Sequence, residues 1–317
     1  MSQGLPRGSG FLPASRFELS AVEDALASTG TLKAALDRVD YLADSGLVTA
    51  LFCAVRLPQP LLLEGEAGVG KTGAAKALAA VCDTPLIRLQ CYEGIDASEA
   101  LYEWNFPRQL LAIKLAESTG TAMQSDDLFS REYLTNRPLL KAVEHPGPRP
   151  AVLLVDEIDR ADDEFEAFLL ELLAEGTVTV PEIGTLRAKY PPVVILTSNR
   201  TRDLHDALKR RCLYHWIDYP DLERATDIIR RRVPEASSGI AEQVAAAVAR
   251  IRTLDVQKQP GIAEAINWVG ALDLLGVTDV AGLDHEALAR TLGSVAKYRE
   301  DVELIASRGV GWLAGGS

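Results

Sequence analysis

Short runs of nearly continuous apolar residues recur along the chain up to residue 217: 61–63 (LLL), 86–90 (LIRLQ), 151–155 (AVLLV), 192–198 (PVVILTS) and 213–217 (LYHWI). Runs this short, without a polar face, read as strands covered on both sides. Between them the apolar positions recur every three to four residues, the spacing of half-buried helices. That spacing covers residues 18–27, 32–42 and 46–57 before the first run, 71–82 after it, and 109–117 and 131–144 further on. Beyond residue 160 it returns with Phe165, Phe168, Leu169, Leu172 and Leu173 on one face, behind a start rich in acids. Residues 175–190 (EGTVTVPEIGTLRAKY) alternate in two short stretches, a hairpin pattern, and a short helix is expected at 204–211. Residues 91–105, with Tyr92, Tyr102 and Trp104 among acids, follow neither period. They read equally well as a substrate-facing insertion and as an ordinary capping loop.

After Pro220 the strand-like runs stop. Residues 222–232, 240–254, 262–275 and 285–305 are expected as helices, with an apolar stripe at Ile240, Val244, Ala247, Val248 and Ile251. The pattern predicts an α/β fold, a parallel-sheet P-loop NTPase core followed by a smaller all-α domain. The expected division is a flexible arm at 1–15, a nucleotide-binding domain at 16–219 and a helical domain at 220–317.

Composition narrows this picture. A net charge of −12 disfavours a broadly basic nucleic-acid surface. The four cysteines lie far apart with no C-x-x-C, so they read as buried thiols in a reducing compartment. No stretch approaches the roughly 20 apolar residues of a membrane span, and the first residues lack an apolar signal core. A cytoplasmic protein with no membrane contact is expected.

The chemistry is concentrated at the ends of the apolar runs. Residues 61–72 read LLLEGEAGVGKT, matching G-x-x-x-x-G-K-(S/T) from Gly65 through Glu66, Ala67, Gly68, Val69, Gly70 and Lys71 to Thr72. Glycines at this spacing let backbone N–H groups turn onto phosphate oxygens. Lys71 reaches the β/γ oxygens, and the Thr72 hydroxyl is a ligand for Mg²⁺. The run at 151–155 delivers Asp156 and Glu157 at its carboxyl end, where ligands sit in parallel sheets. Asp156 is placed to hold the Mg²⁺ shell and Glu157 to activate a water against the γ-phosphate. The acids that follow, Asp159, Asp162, Asp163, Glu164 and Glu166, read as a solvated helix start rather than a metal cluster. Asn199 ends the next run and is placed to bond the γ-phosphate or its attacking water. Lys209, Arg210 and Arg211 close the short helix. They read either as dipole-pairing bases or as an arginine finger presented to a neighbouring subunit's nucleotide. The four histidines never fall at metal-ligand spacing.

Taken together, GEAGVGKT, LLVDEID, TSN and ALKRR before an all-helical tail resemble an AAA+ ATPase over about residues 40–310. The hairpin EGTVTVPEIGTLRAKYPPVVILTSN is similar to the pre-sensor hairpin of the MoxR family, and residues 91–105 fall where that family carries an insertion. SREYLTNRPLL, ALKRRCLYHWIDYPD and KQPGIAEAINW are most similar to its CoxD-type branch. The resemblance implies Lys71 and Thr72 as the phosphate-loop pair, Asp156 and Glu157 as metal-holding and water-activating acids, and Asn199 as the first sensor. It implies Arg210 as the finger counted back from Tyr219-Pro220, or Arg211 if the last base of the helix is the reference; Arg210 is favoured. The family's second-sensor arginine has no clear counterpart, since KQPGIAEAIN offers only Lys258. The resemblance further implies a helical lid after residue 220, ATP and Mg²⁺, and a homo-oligomeric, hexameric ring. Its implied partners are a von Willebrand factor A protein and a client metalloenzyme, such as a molybdenum hydroxylase or carbon monoxide dehydrogenase. Neighbouring readings are an activator of Rubisco or nitric oxide reductase, a DNA-acting AAA+ motor, a small-molecule kinase and an ATP-binding scaffold without turnover. The acid pair weighs against the last of these, and the acidic balance against the motor.

Overall fold

The computed structural model describes residues 22–120 and 124–315. The arm expected at 1–15 and the start of the helix expected from residue 18 lie outside them. In chain order the strands are β1 (Leu61–Glu64), β2 (Leu86–Gln90), β3 (Tyr102–Trp104), β4 (Leu134–Asn136), β5 (Val152–Asp156), β6 (Thr177–Val180), β7 (Gly184–Arg187), β8 (Val193–Ser198) and β9 (Leu213–Trp216). Five of them form one sheet in the order β2-β5-β8-β1-β9, and every pair in it is parallel.

The apolar runs are continuous because this sheet is buried on both faces. Side chains alternate across a strand, so β1 sends Leu61 and Leu63 to one core and Leu62 to the other. In the same way β5 divides Val152 and Leu154 from Leu153 and Val155, and β8 divides Ile195 from Val194 and Leu196. The first core is closed by the helices Thr29–Arg38, Ser45–Arg56 and Lys71–Val81; the second by Pro138–Val143 and Asp163–Glu175. Full burial of each such leucine contributes about 1.5–3 kcal/mol.

The segment at 91–105 is not irregular throughout. It holds the short helix Ala97–Ala100 and then β3, which pairs antiparallel with β4 from Tyr102↔Asn136 to Trp104↔Leu134. Residues 131–144, expected as one helix, supply β4 and then the helix Pro138–Val143. Pro138 explains the break: proline disfavours a helical residue before it and suits the first turn of a helix. The expected hairpin forms as β6–β7, paired from Thr177↔Arg187 to Val180↔Gly184. Gly176, which caps the preceding helix, and Gly184, which opens β7 after the turn, both have positive φ.

Past Asp221 every element is helical, and a third buried cluster runs from Ala225 to Leu313 around Trp268. The indole N–H of Trp268 donates to Thr291 Oγ1 at 3.1 Å. The last expected helix divides into His285–Thr291, a short turn at Leu292–Ser294 and Arg299–Ala314. The break is held by Lys297 Nζ, which donates to the carbonyls of Gly293 and Ser294 at 3.2 and 3.0 Å. Among the described residues no helix is long and apolar enough to cross a membrane.

Candidate nucleotide site at the carboxyl edge of the sheet

The parallel register brings the carboxyl ends of β1, β5 and β8 together. Glu64 faces Ser198, and Thr197 lies beside Asp156. The phosphate loop leaves this edge from Glu64 and enters the helix Lys71–Val81, whose N-terminus offers free N–H groups. Gly70 caps that helix at φ 103° and Gly68 has φ 81°, both in the region that favours glycine. Gly65 is required by close approach: a Cβ there would lie 2.4 Å from the Ile217 carbonyl oxygen. Gly65→Ala is therefore expected to cost about 1–3 kcal/mol by overpacking. A thermal melt checks it; a melting temperature equal to wild type would contradict that contact.

Lys71 is buried, and its Nζ donates to the carbonyls of Gly65 at 2.6 Å and Glu66 at 2.7 Å. Burial lowers its pKa, while Asp159, Glu66, Asp156 and Glu157 pull the other way. The Thr72 hydroxyl donates to Asp156 Oδ1 and Oδ2 at 3.1 and 3.2 Å, joining the two predicted metal-shell residues. Asp156 is 2 % exposed and also bonds Thr197 and Arg88. A hydroxyl and a carboxylate are hard oxygen donors, which fits Mg²⁺ supported by phosphate oxygens.

Glu157 adopts a left-handed backbone, φ 56° and ψ 50°, which a glutamate rarely takes. Its N–H donates to Thr197 Oγ1 at 2.9 Å, and its carboxylate meets Arg160 Nε at 3.0 Å. Such a turn at the end of a central strand lifts the side chain from the sheet edge, where strain of this kind accompanies function. Asn199 follows β8 on the same edge. Its backbone N–H donates to Asp159 Oδ2 at 3.2 Å. The same oxygen accepts from the Thr201 N–H at 2.9 Å and hydroxyl at 2.7 Å.

Asp159 thus departs from the solvated-start reading of the acid run. It is 2 % exposed and braces the Asn199–Thr201 turn. Glu166 departs too: 1 % exposed, it pairs with Arg202 and accepts the His205 N–H at 2.9 Å. Asp162 does fit that reading, capping its helix through the Phe165 N–H at 2.8 Å. Two buried carboxylates therefore hold the loop between Asn199 and the basic helix, Asp159 from the turn after the acid pair and Glu166 from the helix Asp163–Glu175.

Arg210 and Arg211 are exposed and follow the short helix Asp206–Lys209, shorter than the expected 204–211, which supplies their side-chain partners. Arg210 Nη2 is 3.9 Å from Asp206, and Arg211 Nη1 donates to the Ala207 carbonyl at 3.0 Å. Among the described residues neither guanidinium bonds to Asp156 or Glu157. Lys258 is also exposed, and its backbone N–H donates to Asp301 at 3.3 Å.

The helical region instead meets the phosphate loop through Gly261 and Glu264. A Cβ on Gly261 would lie 2.9 Å from the Ala67 carbonyl oxygen, and Glu264 Oε2 lies 2.9 Å from where a Gly68 Cβ would stand. Arg252 lies behind this contact. Its guanidinium stacks 3.9 Å over the Tyr219 ring and its Nε donates to the Pro260 carbonyl at 2.7 Å. Burial lowers the Arg252 pKa, against the pull of Tyr219 and Glu264.

A cavity of about 110 Å³ adjoins the loop between Tyr41, Gly70, Gly73, Ile217, Arg224 and Ile262. The Tyr41 hydroxyl donates to the Gly70 carbonyl at 3.2 Å, and burial raises its pKa. Tyr41 and Arg224 were not legible as site residues, since neither belongs to a motif. A larger, mainly apolar cavity of about 410 Å³ opens at the opposite edge, beside Pro60, Pro150 and Val193. It lies at the amino ends of the strands, away from the acids and the loop, so the smaller cavity belongs to the candidate site.

Residues 60–212 match the family model for the AAA domain, dynein-related subfamily. An uncharacterized protein of Staphylococcus haemolyticus is 27% identical over 242 residues, covering 74% of this chain and 84% of that protein. An uncharacterized Staphylococcus aureus protein is 26% identical over the same shares. A mutant of Thermotoga maritima RuvB has a TM-score of 0.45 at 18% identity, covering 78% of this chain and 67% of its own. The loop, the acid pair, Asn199 and both exposed arginines all fall inside the matched segment; the chain has the AAA+ P-loop NTPase fold, with residues 60–212 similar to the AAA domain and a helical region after them.

Proposed function

We infer that the protein is a Mg²⁺-dependent ATP hydrolase that works as a ring-forming remodelling chaperone. The observation that carries this reading is the convergence of Lys71, Thr72, Asp156 and Glu157 on one sheet edge, with Thr72 bonded to Asp156 at 3.1 Å. The loop N–H groups and Lys71 would bind the triphosphate, and the cavity beside Tyr41 would receive the base. The cation, held by Thr72 and Asp156, would neutralise charge on the β and γ oxygens. The Glu157 carboxylate would take a proton from the water attacking the γ-phosphorus as the bond to ADP breaks. Asn199, braced by Asp159, would orient that water.

Residues 16–219 would act as the core and 220–317 as a lid, hinged near Tyr219-Pro220 and touching the loop at Gly261. Arg210, or failing it Arg211, would reach the nucleotide of the next subunit in a hexameric ring. Hydrolysis would then move the β6–β7 hairpin and the segment at 91–105 against a client. The MoxR and CoxD-like motifs support a cytoplasmic role in maturing a metalloenzyme with a von Willebrand factor A partner. Product analysis tests the reaction class: ADP and inorganic phosphate in equal amounts support the hydrolase, and a phosphorylated acceptor contradicts it. Stimulation of turnover by duplex DNA, with none by an apo-metalloenzyme, would contradict the chaperone reading.

A further inference from the structure

The Asp156 carboxylate is crowded with donors. Oδ1 accepts from Thr197 Oγ1 at 2.5 Å and Thr72 Oγ1 at 3.1 Å. Oδ2 accepts from Thr72 Oγ1 at 3.2 Å, Arg88 Nε at 2.9 Å and Arg88 Nη2 at 2.6 Å. An ionised carboxylate offers about four lone-pair sites, so an incoming cation or its water shell must displace one of these donors.

The three donor residues differ in what holds them. Thr197 is 1 % exposed, and its oxygen is fixed from the other side by the Glu157 N–H. Thr72 stands on the first turn of the helix Lys71–Val81 and is itself an oxygen donor for the cation. Arg88 is free to yield. Its side chain is 48 % exposed and it stands on the edge strand β2. Its Nη2 already donates to the Gln90 side-chain oxygen, which can keep the guanidinium when Asp156 is taken.

We propose that Arg88 is a positioning residue that sets how tightly the Asp156 site holds its divalent cation. The guanidinium compensates the buried carboxylate before the cation binds, and rotates toward Gln90 and solvent when it does. The inference rests on the assignment of Thr72 and Asp156 to the metal shell. A buried carboxylate without a partner is costly, so Arg88 stabilises the cation-free site and by mass action weakens cation binding. Tight binding then depends on the further oxygens that the nucleotide's phosphates supply.

The test is the coupling between ADP and Mg²⁺ in the full chain. The affinity for a fluorescent ADP analogue is measured in EDTA and across a Mg²⁺ titration, for wild type, Arg88→Gln and Arg88→Lys. Arg88→Gln is expected to leave the affinity in EDTA unchanged and to lower the Mg²⁺ midpoint about tenfold. Arg88→Lys keeps the charge but not the forked geometry, so its midpoint should fall between the other two. A midpoint at or above the wild-type value in Arg88→Gln overturns the proposal. So does weaker binding in EDTA with an unchanged midpoint, which would make Arg88 a phosphate ligand. If Arg88→Gln does not fold, Arg88→Lys decides: a midpoint at or above wild type overturns the proposal. A wild-type ADP affinity with no response to Mg²⁺ would contradict the metal assignment itself, whereas equal responses in wild type and variants overturn only the role of Arg88.

Discussion

Glu157→Gln is expected to bind Mg²⁺-ATP as tightly as wild type and to hydrolyse it about 10³-fold more slowly, the loss typical of a missing general base. An amide cannot take up the proton of the attacking water, while its shape and backbone requirements match those of the acid. The turn should survive, because its N–H bond to Thr197 belongs to the backbone. The substitution also removes the ion pair with Arg160. Both groups are partly exposed, 56 % for Arg160 and 33 % for Glu157, so that pair contributes little to stability. Single-turnover hydrolysis and equilibrium binding of a fluorescent ATP analogue check the two halves separately. Wild-type hydrolysis by the variant would remove Glu157 from the mechanism, and weak binding would mean the left-handed turn had rearranged.

Arg210→Ala is expected to leave ATP binding intact and to lower turnover about 10³-fold, the low end of what an arginine finger supplies. The same change at Arg211 should have a much smaller effect. Both side chains are exposed, so neither substitution should disturb folding. Action across an interface makes a sharper expectation. When Glu157→Gln and Arg210→Ala subunits are mixed, some interfaces pair an intact Glu157 with a neighbour's intact Arg210, about a quarter of them in an equal random mixture. The mixture should regain activity that neither variant has alone. Normal turnover in both Arg210→Ala and Arg211→Ala would sink the finger assignment, and no recovery on mixing would sink its action in trans.

The parts of this fold that were legible in the sequence are those written in local period. Strands buried on both faces must be apolar throughout, which made β1, β5 and β8 visible, and the phosphate loop requires a spacing few other structures share. The bracing of the site was not legible, because its partners lie far apart in the chain. Asp159 and Glu166 stand in a run of acids whose other members are solvated; only their contacts with Thr201, Arg202 and the His205 N–H distinguish them. Arg88 sits in an edge strand and is paired with a carboxylate on the next strand. Tyr41 precedes a helix, with no sign of Gly70 as its partner. The pairing of β3 with β4 joins segments about thirty residues apart, and three-residue strands are too short to show alternation. No motif in the sequence pointed to the contact between the helical region and the loop, which is made by Gly261 and Glu264.

The measurement closest to the central claim is the steady-state release of inorganic phosphate from ATP by the wild-type chain and by Lys71→Ala, each with Mg²⁺ and with EDTA. Phosphate release that needs both Lys71 and Mg²⁺ is the predicted result. Release equal in all four conditions, or none from the wild type with Mg²⁺, would contradict the account.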